Sequence, residues 1–426
     1  MTDKTIYNFD QELDRTQNGS SKWGYMFATD QDGQIQIVAT DRFTGPNRTL
    51  PLWVADMDFI VPKPVIEALA QRAIQGTFGY TSRTEAYDTA VINWMQRHYG
   101  LTITAEDFSQ TPGVVAGLVQ IINTFTEPGD GIIIQTPVYF PFYSSITNNG
   151  REIVENPLIN NDGYYTMDFD DLAQRAKDPN TKMIILCSPH NPIGRVWTAD
   201  ELRRLGEICN QNDVLVVSDE VHCDLILNNN STPGNLTNGN STPVRTFTNY
   251  ATLGPEFAQN AVVCNAGSKT FNLAGLKTSN IIIPNPDLHA RFKDTLQNSS
   301  ISHAINLMGM LALQTAYEEG ENWLEQLLVY LSDNCNFLAD YLEKNIPEIK
   351  MRRPEGTYLA WLDCSRLNLE AADLHRFFLE EANVYLEAGD IFGEEGAYFM
   401  RLNFACPRSI LQEALERINR AVKSLK

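Results

Sequence analysis

Several features are scarce in this chain, and each scarcity removes a class of function. No run approaches the roughly 20 apolar residues that span a bilayer, and the opening MTDKTIYNFDQELDR has no apolar core of signal-peptide length. A cytoplasmic protein with no membrane partner is expected. Basic residues are in deficit, 33 Lys and Arg against 53 Asp and Glu, a formal net charge of -20. Nucleic acid and anionic lipid would both repel such a surface, so neither is an expected partner. The six histidines contain no HExxH-like pair and the seven cysteines no CxxC pair or zinc spacing, so no metal site is expected. Reduced thiols are the default for an odd, scattered set. No internal repeat is visible.

What is present is length and alternation. At 426 residues and 43% hydrophobic the chain fits a large domain plus a smaller one. Between 131 and 283 the apolar runs GIIIQ, KMIILC, VLVVS, AVVCN and NIIIP alternate with helical or loop stretches such as 199–211. This reads as an α/β fold, a largely parallel sheet covered by helices on both faces. Residues 64–75 and 86–99 are helix-like, with Pro64 fitting a first turn. After 286 the pattern turns helical at 305–318, 323–344, 371–382 and 411–425. GTYLAWLDC and AYFMRLNFA alternate like strands between them, giving an α+β part. The expected division is 1–50, an N-terminal arm and part of the small domain, 51–286, the large domain, and 287–426, the small domain. Residues 8–49 read as an arm crossing onto another part of the protein or a partner subunit. The segment 228–242, NNNSTPGNLTNGNST, is nearly empty of apolar residues and reads as a solvated, mobile insertion. Its glycosylation-like triplets at Asn230, Asn235 and Asn240 are most simply an exposed loop.

In parallel sheets of this kind ligands bind at the carboxyl ends of the strands. Four residues with useful chemistry fall there: Tyr139, Asn191, Asp219 and Lys269. Lys269, after AVVCN, can condense with the aldehyde of pyridoxal phosphate (PLP), while the upstream carboxylate of Asp219 keeps the pyridine nitrogen protonated. TPGVVAGL opens an amphipathic helix at Gly113, Val114 and Val115, whose free N–H groups could cradle a phosphate. Tyr139 in QTPVYFPF could lie against a flat ring, and Asn191 in CSPHNPIG could bond a phenolic oxygen. Each also has a plain reading: a surface lysine, an ordinary helix cap, a core aromatic, a Pro-rich turn. Their joint occurrence in this order favours the cofactor.

The series GVV, Tyr139, HNPIGR, SDEVH, SKTFNLAG and RLNFACP resembles the fold-type I PLP enzymes, the aspartate aminotransferase superfamily, over nearly the whole chain. LPLWVADMDF, SPHNPIGRVW, SDEVHCDLI and RLNFACPRS are most similar to its cystathionine β-lyase or C-S lyase branch, the MalY/PatB type. The resemblance implies a mainly parallel seven-stranded sheet and a homodimer with shared active sites, in which Tyr80 reaches the neighbour's cofactor phosphate. It implies that Arg401 grips the substrate α-carboxylate, since a guanidinium fork matches it in two hydrogen bonds. A domain-interface salt bridge is the plain alternative for Arg401, and a core tyrosine for Tyr80. Tyr358 and Trp53 are candidate pocket aromatics, with core packing the alternative.

Two positions depart from the wider superfamily. Ala266 stands where many members have a phosphate-binding serine, and Lys277 where they have an arginine. Phosphate binding therefore leans on the 113–115 backbone, with Lys277 as a point charge and Ser268 as a helper. His222 stands where aminotransferases usually carry a tyrosine facing the phenolic oxygen, and it can touch that oxygen, buttress Asp219 or fill space. The expected reaction on a small amino-acid substrate is β-elimination from cystathionine or another cysteine S-conjugate, giving thiol, pyruvate and ammonia. Transamination shares its first step, and a non-catalytic regulator on the same fold is the reading outside enzymology.

Overall fold

The computed structural model describes residues 5–29, 35–227, 246–303 and 305–425. The 228–242 segment and its three Asn-x-Ser/Thr triplets lie outside the described residues. The main sheet has seven strands in the spatial order Phe108–Thr111, Ser279–Ile282, Ala261–Asn265, Leu215–Asp219, Thr181–Cys187, Gly131–Ile134 and Glu152–Glu155. Its central strands are Val, Ile and Leu runs buried on both faces, as a sheet between two helical layers requires. Side chains alternate between those layers. Ile132 and Ile134 join Ile121, Val217 and Ile281 in one core, whereas Ile133 joins Ile184, Val216 and Leu205 in the other.

Pairing is parallel from Ala261–Asn265 across to Glu152–Glu155. Ser279–Ile282 is the exception and pairs antiparallel with both neighbours. The chain leaves Ala261–Asn265 through two single helical turns, Gly267–Thr270 and Ala274–Leu276. Neither is a helix long enough to cross the sheet face and return the strand parallel. The alternation of apolar runs could not reveal this reversal, because NIIIP reads the same in either direction.

Helix Val114–Phe125 lies so close to the sheet that a Cβ on Gly117 would stand 2.7 Å from Ile281 Cδ1. Helix Ala199–Gln211 opens with a capping box, Thr198 and Glu201 bonding each other's backbone N–H. A second sheet of four antiparallel strands has the order Lys350–Met351, Leu359–Asp363, Phe399–Asn403 and Glu387–Ala388. Its two long central strands come from the GTYLAWLDC and AYFMRLNFA segments. Helices Glu321–Asn345 and Arg408–Ser424 pack together beside it. The expected helix at 371–382 is instead an α-helix, Ala371–Arg376, continuing as a π-helical turn, Phe377–Glu381. Leu307–Glu319 packs against Lys63–Ile74 and Glu85–Tyr99, so helices from both ends of the chain share one core.

A buried charge network ties the N-terminal residues to this body. Asp58 accepts hydrogen bonds from Arg15 Nη1 (2.6 Å), Lys22 Nζ (2.6 Å) and Trp23 Nε1 (2.8 Å). The Lys22 side chain is wholly out of solvent. Breaking a buried pair leaves an uncompensated charge and costs about 3–5 kcal/mol. Asp58→Asn should therefore lower unfolding stability by about that amount, because the remaining carboxylate, Asp56, is 3.9 Å from Lys22. Urea denaturation measures this, and an unchanged midpoint would contradict it.

Candidate active site

A cavity of about 430 Å³ opens at the carboxyl ends of the parallel strands. Asp219 is the last residue of its strand and Cys187 of the next, while Asn191 follows Cys187 by four residues, Tyr139 follows Gly131–Ile134, and Lys269 follows Ala261–Asn265 by four residues. Gly113, Val114, Val115, His222, Ser268 and Lys277 complete the set of sequence candidates on its wall. Ten residues spread over 165 positions are brought to one space by strand order.

The charged groups here are dry, and their equilibria reflect it. Burial pushes the Lys269 ammonium down to about 8, with Asp56 and Asp219 opposing the shift. Its Nζ donates to Ala55 O at 2.7 Å. Burial pushes the Asp219 carboxyl up to about 6, opposed by the Val221 N–H (3.2 Å) and by Lys269. A cationic ring nitrogen beside Asp219 would lower it again. The Tyr139 phenol is pushed up to about 12 by burial and stays protonated. His222 is held well below its ordinary value by burial, reinforced by Lys269 and Arg401, and is a neutral imidazole. Its Nδ1 has no hydrogen-bond partner among the described residues, and its ring stands edge-on to Tyr358 with centroids 5.9 Å apart.

One end of the cavity is lined by the start of a helix. Gly113 caps helix Val114–Phe125 with φ of 102°, a left-handed conformation that favours glycine. The first N–H groups of any helix lack intrahelical partners and face its N-terminus, where the dipole favours an anion. Lys277, also left-handed at φ of 47°, lines the same cavity.

Arg401 stands behind Asn191. Its Nη1 donates to Asn191 Oδ1 (3.1 Å), and its Nη2 to Trp53 O (2.9 Å) and Glu387 Oε2 (2.9 Å). With its oxygen spent on Arg401, the Asn191 amide keeps its NH2 as donor for a ligand acceptor. Trp53 and Tyr358 are buried and do not line the cavity. Trp53 packs between Phe27 and Tyr385 and donates to Lys22 O, while Tyr358 donates to Ala55 O at 2.8 Å. Tyr80 is fully exposed and lies outside the cavity. Glu387 and the Ala55 carbonyl were missed by the sequence reading. A lone carboxylate inside the apolar VYLEA stretch was the available signal for Glu387; a backbone carbonyl leaves none.

The wall fits PLP group by group. A helix N-terminus with Lys277 suits its phosphate, the Tyr139 ring its flat face, Asp219 its nitrogen, Asn191 its phenolic oxygen and Lys269 its aldehyde. The buried, unpartnered His222 Nδ1 is a polar atom that a ligand would satisfy. The volume lies in the roughly 300–1,000 Å³ range of small-molecule sites.

The family model "Aminotransferase class I and II" matches residues 49–418. The chain belongs to that family. It is 40% identical to cystathionine beta-lyase PatB of Bacillus subtilis over 97% of this chain and 100% of the relative. Protein MalY of Escherichia coli is 30% identical over 99% and 100%. The crystal structure of cystalysin from Treponema denticola, which contains pyridoxal 5'-phosphate, matches with a TM-score of 0.88 and 37% identity, covering 99% of this chain and 100% of that one.

Two changes test the cofactor's seat. In the wild type, borohydride should fix the mass of the cofactor to the peptide carrying Lys269, and Lys269→Ala should lose that mass, as read by mass spectrometry. Gly113→Ala, forced into a left-handed residue costing about 1–2 kcal/mol, should weaken cofactor affinity by about tenfold in equilibrium dialysis.

Proposed function

We propose that this chain is a PLP-dependent carbon–sulfur lyase that cleaves cystathionine or related cysteine S-conjugates by β-elimination to thiol, pyruvate and ammonia. The observation that carries the reading is full-length identity of 40% to a cystathionine β-lyase in a chain whose cavity gathers the lysine, carboxylate and helix N-terminus that the cofactor requires. When bound, PLP supplies the electron sink that makes an amino acid's α-proton removable. The protein's own part is positioning and charge. The helix N-terminus at Gly113 and the Lys277 ammonium hold the phosphate, and Tyr139 backs the ring. Asp219 keeps a negative charge where the ring nitrogen must stay protonated. Lys269, already lowered to about 8, is an amine poised near neutrality to take the proton from Cα. Arg401 receives the α-carboxylate and sets the Cα–H bond perpendicular to the conjugated plane.

The working unit we propose is a homodimer. Ile60, Ile66, Ile74, Phe78 and Tyr80 all expose large side chains within one 21-residue stretch, an apolar surface suited to a second chain. Tyr80 would then reach the partner's cofactor phosphate. The domain limits at 50 and 286 are retained as a proposal, supported by the main sheet ending at Ile282 and the small sheet beginning at Lys350.

Purified holoenzyme given cystathionine should release stoichiometric pyruvate and thiol without an added 2-oxo acid. Turnover that appears only when a 2-oxo acid is supplied would make it an aminotransferase. Asp219→Asn should retain cofactor yet lose at least about a hundredfold in α-proton exchange, the equivalent of about 2.7 kcal/mol of transition-state stabilisation. Normal exchange of that proton in deuterated solvent would remove Asp219 from its role. For the dimer, Tyr80→Phe and Lys269→Ala chains, each of low activity, should recover activity when mixed and reassembled. Full activity in a sedimenting monomer would rule out the shared site.

A further inference from the structure

The pair formed by Glu387 and Arg401 leads further, resting on the proposed role of Arg401 as receiver of the substrate carboxylate. The Glu387–Ala388 strand runs antiparallel to Phe399–Asn403, and Glu387 sits directly across from Arg401. Opposite residues of such a pair project to the same face. Strand register alone therefore brings the carboxylate to the guanidinium, at 2.9 Å, with the two side chains 4% and 2% exposed.

The donors of Arg401 are unevenly used. An arginine has five N–H groups. Both on Nη2 are engaged, by Glu387 and by Trp53 O, and one on Nη1 goes to Asn191. The Nε group has no partner among the described residues. Hydrogen-bonding capacity for a carboxylate therefore remains, but charge does not: the single positive charge is already matched by Glu387. An arriving α-carboxylate would put two anions on one guanidinium in a dry site. Like charges sharing a site force one of them to take a proton.

The neighbours leave one candidate for that proton. Tyr139 and Tyr358 face Arg401, and Tyr385 lies two residues before Glu387. Burial raises all three phenols, so each is already protonated. The Phe392 ring covers the guanidinium at 4.9 Å and has no proton to exchange. Asp219 has Lys269 as its counter-charge, and His222 is held neutral between Lys269 and Arg401. Burial pushes Glu387 up to about 7 even with Arg401 opposing it.

We propose that Glu387 is an exchangeable counter-ion of the substrate site, neutralising Arg401 in the ligand-free enzyme and taking up one proton from solvent when an α-carboxylate occupies the guanidinium. No bond other than O–H forms and no electrons are transferred. Occupation raises the affinity of Glu387 for its proton, so ligand binding is strongest below the free-enzyme value. It falls about tenfold per pH unit as pH rises from about 7 towards the higher value of the occupied site.

The test uses holoenzyme and 3-(methylthio)propanoate, a thioether carboxylate without an amino group, so that amine chemistry at Lys269 stays silent. Its competitive inhibition constant, followed from pH 6 to 9, should weaken about tenfold per unit above 7 in the wild type. Glu387→Gln should flatten that slope. Calorimetry of the wild type in two buffers of different ionisation enthalpy should show uptake approaching one proton per site above pH 7, a measurement that needs no variant to fold. No proton uptake by the wild type, or the same slope in Glu387→Gln, overturns the proposal. Arg401→Gln should abolish binding at every pH. Undiminished binding there would instead remove Arg401 from the carboxylate site, a failure distinct from that of Glu387.

Discussion

The bent backbone at residues 53–57 is the constraint on which the site depends. Buried carbonyls must be paired, and here each is paired with a side chain from elsewhere in the fold. Trp53 O takes Arg401 and Ala55 O takes Lys269 and Tyr358. Val54 O and Asp56 O both take Asn403 Nδ2, at 2.6 Å each, while Met57 O takes Asn272 Nδ2 and Arg15 Nη1. The segment is bent at residues 54–56, where the Asp56 N–H donates to Val54 O at 2.9 Å. The carbonyls of residues 53 and 55 thus hold Arg401 and Lys269, and those of 54 and 56 are pinned by Asn403. A shift of one residue would break these pairings and release both cations. The Asp58 network with Lys22, Arg15 and Trp23 fixes the segment against such a slip.

A dry site multiplies the effect of each charge. Lys269 is balanced by Asp56 and Asp219, Arg401 by Glu387, and His222 stays neutral between two cations. The arrangement lowers Lys269 to about 8, with its Nζ bonded to a carbonyl and the two carboxylates acting from further away. Each charge is supplied by a different element: a single helical turn, a strand end, a cross-strand pair and a bent segment. Precision therefore comes from the rigidity of the sheets, since loops of this length would leave the groups free to drift.

The reversed strand Ser279–Ile282 matters for the same reason. Because no crossover helix follows Ala261–Asn265, the chain can spend residues 266–278 on two tight turns. Those turns put Lys269 and Lys277 on one wall of the cavity, eight residues apart. A conventional parallel crossover would have carried the second of them away along a helix.

Much of this was legible in the residues. Apolar runs gave away five strands of the main sheet but not its edge strands Phe108–Thr111 and Glu152–Glu155; helix-like patterning located Glu85–Tyr99 within a residue, and 199–211, read as helical or loop, is a helix. Long motifs identified the cavity wall, because the chemistry of a lysine, a carboxylate and a Gly-opened helix is local to short segments. The direction of Ser279–Ile282 and the π-helical end at Phe377–Glu381 were not legible, since neither leaves a distinct apolar period. Nor were the placement of Trp53 and Tyr358 behind the wall, or the partners of Lys269 and Arg401. Sequence by itself determined which groups exist and on which kind of element each sits, because propensity and periodicity act over a few residues. Tertiary structure alone decided which carbonyl receives Lys269, which carboxylate faces Arg401 and which groups are dry. Those outcomes depend on strand register and on contacts between residues as far apart as Trp53 and Arg401, and no local pattern encodes them.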